Sequence, residues 1–113
     1  MRRRARKTRS AAREDVFYAI ADPTRRALLS SLADGEQPVN ALANRYVMSR
    51  AAVSQHLAIL RKTGLVVAYR VGREQRYQLR AKPLERVYSW VASYERFWSE
   101  RLKALRQHLE NTR

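Results

Sequence analysis

Three features of the sequence predict a mainly α fold with a small β-hairpin wing. Val39 to Leu65 reads as two short helices joined by a tight turn. The segment directly after Gly64, LVVAYRVGREQRYQLR, reads as a basic hairpin. Elsewhere the apolar residues recur at helical spacing. In chain order the elements run α-α-α-α-β-β-α, a winged helix-turn-helix. At 113 residues the chain is long enough for one modest core.

Residues 1–13, MRRRARKTRSAAR, hold seven cations and no anion. They carry too little apolar area to offset ordering, so a basic disordered arm is expected. Such an arm adds phosphate contacts or enters a minor groove; the alternative is a solubilising tail. Residues 14–113 are expected to form one winged helix-turn-helix domain that includes the last helix.

A first helix is expected from Glu14, with Val16, Phe17 and Ile20 as its apolar face and Glu14 and Asp15 at the positive end of its dipole. The second has a stronger start. Asp22 can cap it, Pro23 sits at its first position, and Leu28, Leu29 and Leu32 follow at helical spacing. Gly35 ends it. Gln37-Pro38 is a short connector placed to form one bridge of strand beside the wing.

The helix pair comes next. Its first member holds Leu42, Ala43 and Tyr46. Its second runs from about Arg50 to Thr63, with Ser49 as N-cap and Gly64 as a left-handed stop. Val53, Leu57 and Leu60 form its buried stripe. At about 100° per residue the opposite face carries Ala51, Gln55, Ala58 and Lys62, with Ser54 on its flank. Small residues permit close approach to a major groove, and polar ones read base edges. A plain solvated face is the competing reading, and the hairpin weighs against it. Val66–Val71 and Glu74–Leu79 alternate about a Gly72-Arg73 turn, with Tyr77 and Leu79 on one face. Arg70, Arg73, Arg76 and Arg80 lie at and around that turn, where their natural target is phosphate.

Pro83 opens the last helix, expected at about 83–110. Leu84, Val87, Tyr88, Val91, Tyr94, Trp98, Leu102, Leu105 and Leu109 form an apolar arc, widened by Trp90 and Phe97 to about half the circumference. One small body does not cover such an arc, and aromatic residues are enriched in buried interfaces. A dimerisation helix is expected, against the alternative of a helix folded back on its own core. The expected interface is Phe17, Tyr88, Trp90, Val91, Tyr94, Phe97, Trp98, Leu102 and Leu105.

The formal charge is +14, and it is segregated. Residues 45–82 hold nine cations and one anion, whereas residues 14–44 hold two cations and five anions. A polyanionic partner is implied. No cysteine is present, which excludes disulfides and thiolate metal sites and fits a reducing cytoplasm. No run approaches a transmembrane length, so no membrane role is expected. No glycine-rich phosphate loop and no nucleophile–base constellation appears, so no enzyme is expected.

ADPTRRALLSSLADGE, LANRYVMSRAAVSQHLAILRKTGLV and YRVGREQRYQL, in that order, resemble the ArsR/SmtB (arsenic-repressor) family of bacterial winged-helix regulators. The likeness covers roughly Phe17 to Leu79, and the pattern Trp90, Tyr94, Phe97, Trp98, Leu102 resembles one branch of it. The resemblance implies a homodimer, through the first and last helices, that represses by occupying double-stranded operator DNA. It places Ser49, Arg50, Ala51, Ser54 and Gln55 near the bases and Arg73 and Arg76 on the wing. Lys62 of the recognition helix and Arg70 of the wing are expected to contact DNA as well.

Metal-sensing members of that family carry cysteines before the recognition helix, or paired Asp/His and His/Glu ligands on the last helix. Here the first place reads NALANRYVM, and the last helix offers only His108 with Glu95, Glu100 and Glu110. One imidazole is not a transition-metal site, so neither metal nor other cofactor is expected. An inducer cannot be read from these residues. His56 is expected to be a hydrogen-bonded structural histidine. The leading function is a sequence-specific repressor. The alternatives are a non-specific nucleoid-type DNA binder and an interaction module that has lost DNA binding.

Overall fold

The computed structural model describes residues 15–112. Its elements are α1 (Val16–Ile20), α2 (Pro23–Ala33), β1 (Gln37–Pro38), α3 (Val39–Ala43), α4 (Arg50–Lys62), β2 (Val66–Val71), β3 (Glu74–Leu79), α5 (Leu84–Ala92) and α6 (Glu95–Asn111). The basic arm at 1–13 and the helix start at Glu14 lie outside the described residues.

Local chemistry explains most boundaries. The Asp15 side chain caps α1 by accepting from the Phe17 N–H at 2.7 Å. The Asp22 side chain caps α2 by accepting from the Arg25 N–H at 3.0 Å, with Pro23 at the first position. Ser49 Oγ caps α4 by accepting from the Ala52 N–H at 3.1 Å. At the other end of α4, Gly64 takes φ 78°. This lets the Gly64 N–H reach Arg61 O at 3.1 Å and the Leu65 N–H reach Leu60 O at 3.0 Å. That reversal satisfies two orphan carbonyls and drops Leu65 into the core beside Leu60.

β2 and β3 pair antiparallel from Val66↔Leu79 to Val71↔Glu74. Gly72, at φ 62°, is the first of the two loop residues, the place where a two-residue hairpin turn takes glycine. The connector forms a two-residue strand against β3, Gln37↔Tyr77 and Pro38↔Arg76, so the sheet order is β1-β3-β2. The core lies between this sheet and α1–α4. Leu28, Leu42, Val53, Leu57, Leu60 and Leu65 are fully buried there, with Tyr77 closing the sheet side.

Two expectations are corrected. Tyr46 is not in a helix: α3 ends at Ala43, and i→i+3 bonds carry the chain onward. The Tyr46 hydroxyl instead meets Ser31 Oγ at 3.0 Å. The last helix is two helices, α5 and α6, broken at Ser93-Tyr94. There the Ser93 hydroxyl bonds back to Trp90 O at 2.6 Å. The Tyr94 N–H reaches Val91 O and the Phe97 N–H reaches Tyr94 O, both tight i→i+3 bonds. A side chain competing for the helix's own carbonyls is a recognised cause of such breaks.

Candidate nucleic-acid interface

α4 presents two faces. Val53, Leu57 and Leu60 are buried, whereas Ala51, Ser54, Gln55, Ala58 and Lys62 are exposed. The face expected to meet bases is therefore in solvent. Arg50 opens the helix and is exposed with it. Ser49 is exposed too, but its oxygen already accepts the capping bond, which leaves its O–H as a donor.

The hairpin turns its loop toward the start of α4. Arg50, Arg70 and Arg73, with Asn40 at the start of α3, line a cleft of ≈ 160 Å³. Pro38, Val39, Glu74 and Gln75 complete it. Three arginines and two side-chain amides around one concavity, against the single carboxylate of Glu74, suit a phosphate group, which accepts paired N–H donors. Residues drawn from the helix and from the wing thus meet at one place. Asn40 and Gln75 were missed in the sequence: the β1–β3 pairing carries Asn40 to the cleft, and the Arg70↔Gln75 register of the hairpin carries Gln75.

Two of the expected residues stand apart. Lys62 lies twelve residues beyond Arg50, about 18 Å along the helix axis, and does not reach the cleft. Arg76 is mid-strand and half-buried, its Nε 3.2 Å from Glu36 Oε1 and its Nη1 3.5 Å from Glu74 Oε2. Its charge is opposed by these two carboxylates on the central strand, whereas Arg73 sits at the loop.

Behind α4, one buried cation organises the body. Arg25 is 6% exposed. Its Nε donates to Ala19 O at 2.6 Å and its Nη2 to Tyr18 O at 3.0 Å, which satisfies carbonyls at the end of α1. Its Nη1 lies 3.3 Å from His56 Nδ1 on α4. His56 is thus a hydrogen-bonded structural residue. Arg25 itself was missed, although a spacing of three from Leu28 puts it on the buried stripe of α2.

α5 and α6 form the other surface. Among the described residues neither helix has a buried one. Leu84 and Val87 lean on the core, but Tyr88, Val91, Phe97, Leu102, Leu105 and Leu109 are exposed. Phe17, Trp90, Tyr94 and Phe97 form a continuous chain of rings with centroids 5.7, 5.7 and 6.0 Å apart. Arg86 pairs with Asp15 at 3.3 Å and joins α5 to α1. Trp98 lies beyond the chain, and Leu102, Leu105 and Leu109 border an open groove of ≈ 480 Å³. Among the described residues no helix is long and apolar enough to cross a membrane. Among the described residues no three His, Cys, Asp or Glu side chains gather as a ligand set.

The fold and this surface define a winged helix-turn-helix protein. The model for the bacterial regulatory protein, arsR family, matches residues 22–67, from the Asp22 cap to the start of β2. The chain is 31% identical over 80 residues to the transcriptional repressor SdpR of Bacillus subtilis, covering 71% of this chain and 89% of that protein. It is 37% identical over 96 residues to the HTH-type transcriptional regulator Rv2034 of Mycobacterium tuberculosis, covering 85% and 87%. A crystal structure of a possible transcriptional regulator for arsenical resistance matches with a TM-score of 0.64 at 40% identity, covering 77% and 91%. The solution structure of the homodimeric winged helix-turn-helix DNA-binding domain Mb0332 from Mycobacterium bovis matches with a TM-score of 0.59 at 31% identity, covering 82% and 84%. The chain belongs to the ArsR family of bacterial transcriptional regulators.

Proposed function

We propose that this regulator is a homodimeric, sequence-specific repressor acting in the cytoplasm, with α4 in the major groove of its operator and the wing on adjoining phosphate. One observation carries the reading: the exposed Ala51, Ser54 and Gln55 face lies beside the cleft of Arg50, Arg70 and Arg73. Small and amide side chains suit base edges, and the cleft suits the backbone beside them. The uncovered aromatic and leucine face of α5 and α6, with Phe17 of α1, supports pairing with a second copy, as does the homodimeric relative. Two copies would present two α4 helices to half-sites about one turn apart.

Selection of duplexes from a random pool tests this. The expected product is a near-palindromic site with half-sites at that spacing. Within it, Gln55→Ala should lose roughly 1–3 kcal/mol of discrimination at one base pair. Binding without enrichment of any sequence would instead support an architectural role. Absence of duplex binding would overturn the DNA reading altogether. Zinc, cadmium or arsenite should leave the complex intact, because the chain has no thiol and two histidines on different helices. Release at stoichiometric metal would contradict that.

A further inference from the structure

We propose that Arg25 and His56 form a joint that positions the recognition helix on the body, and that protonating His56 opens it, so operator binding weakens as pH falls. The inference rests on α4 being the recognition helix.

A guanidinium has donors only. For Arg25 Nη1 and His56 Nδ1 to bond at 3.3 Å, Nδ1 must be the bare nitrogen and Nε2 must carry the proton. Arg25 has no freedom to turn away. It is buried, its Nε and Nη2 are held by Ala19 O and Tyr18 O, and its Cζ lies 5.0 Å from the Tyr18 ring centroid. The joint therefore braces α4 against the end of α1. A second proton on the imidazole would fall on Nδ1 and point a donor at a fixed cation.

An alternative acceptor is close by. Asp22 Oδ2 lies 3.9 Å from His56 Nδ1. Desolvation pushes the Asp22 carboxyl up. The hydrogen bond from the Arg25 N–H, the His56 imidazole when it is charged, the Arg25 guanidinium and the hydrogen bond from the Thr24 N–H outweigh it and hold the carboxyl below its ordinary value. Asp22 thus stays ionised where histidine titrates. A protonated His56 would exchange Arg25 for Asp22 and move the side chain with the helix that carries it. The imidazole is 22% exposed, so a proton can reach it.

Among the described residues, other charged side chains lie on α4 and on the elements around it. Arg26, on α2, donates to Ile20 O at 2.8 Å. Asp15, at the start of α1, pairs with Arg86. α3 has no titratable residue, and β2 contributes Tyr69 and Arg70, the latter at the wing cleft. Arg50, Arg61 and Lys62 of α4 itself are exposed.

The expected sign is unusual. Added positive charge ordinarily tightens DNA binding. Operator affinity is to be measured between pH 7.5 and 5.5 at constant ionic strength, using the full chain and the duplex enriched from the random pool. Wild type should weaken on the order of fivefold, the loss of about one hydrogen bond. His56→Asn keeps an acceptor near the Nδ1 position and cannot take the proton, so its curve should be flat. His108→Gln removes the other histidine and should follow wild type. The joint is refuted if wild type holds or gains affinity as pH falls, if His56→Asn follows the wild-type curve, or if His108→Gln flattens it. Nitrogen-15 spectra of the wild-type imidazoles keep the proposal testable if His56→Asn does not fold. At pH 7.5 they should show His56 protonated at Nε2, and a proton on Nδ1 would overturn the joint. Failure to enrich any duplex would instead count against the DNA reading.

Discussion

The winged body and the C-terminal pair of helices obey opposite rules. From Val16 to Leu79 each helix turns an apolar stripe inward, and eight large side chains are fully buried. α5 and α6 carry comparable apolar side chains and bury none of them. Trp90 is 54% exposed and Leu105 54%. α6 makes no extensive packing with any other element. The body is closed on itself, whereas α5 and α6, a helical arm, leave their apolar face in solvent. A contiguous exposed apolar face marks an interaction site, and the proposed occupant, a second copy, would present a matching face by symmetry.

The sharpest way to break this contrast is to truncate one large side chain on the arm. Trp98→Ala should cost on the order of 3–5 kcal/mol if the ring is buried between protomers. The expected outcome in sedimentation at micromolar protein is a shift from dimer to monomer, with weakened operator binding. A monomeric variant that kept wild-type operator affinity would sever the arm from DNA recognition.

The matching change in the body is Leu57→Ala. Leu57 is 0% exposed on the inner face of α4, so the loss should be about 2–5 kcal/mol of folding stability. For the core itself this cost should not depend on protein concentration, in contrast with Trp98→Ala. Chemical denaturation of both variants over a hundredfold range of concentration separates the two. If Leu57→Ala acted chiefly on the dimer, the body would not be self-contained.

Legibility in the sequence follows the same divide. Asp22, Ser49, Gly64 and Gly72 act within a few residues of themselves, so their caps and turns could be read directly. Both strands of the wing run as their alternation indicates, Val66–Val71 and Glu74–Leu79. What escaped was pairing across distance. Arg25 meets His56, 31 positions away. Arg76 meets Glu36, 40 positions away. Asn40 reaches the cleft as β1 docks on β3; the bridge was expected, its consequence for Asn40 was not. The break at Ser93 escaped for another reason: serine is tolerated inside helices, and only its hydroxyl bond to Trp90 O reveals the competition.

The smallest expected effect tests a distinction within the body, between two arginines that look equivalent in the sequence. Arg73 sits at the hairpin loop and lines the cleft, whereas Arg76 lies against Glu36 and Glu74. A phosphate contact releases condensed counterions, so losing one lowers the salt-dependence slope of DNA binding by about 0.9. Arg73→Ala should show that drop and weaken selected and random duplexes about equally, because phosphate is the same at every sequence. Arg76→Ala should change the slope by less than half as much, since its charge is already opposed by two carboxylates. Glu36→Gln gives the converse. It removes one partner from Arg76 and should steepen the slope, provided the freed guanidinium swings to the backbone. Titrations of all three variants on both duplexes at four or more salt concentrations decide the matter. Equal slopes for Arg73→Ala and Arg76→Ala would mean that the ion pairs with Glu36 and Glu74 yield to DNA. A change in base preference by Arg73→Ala at unchanged slope would mean that the wing reads sequence, from the minor groove rather than the phosphates.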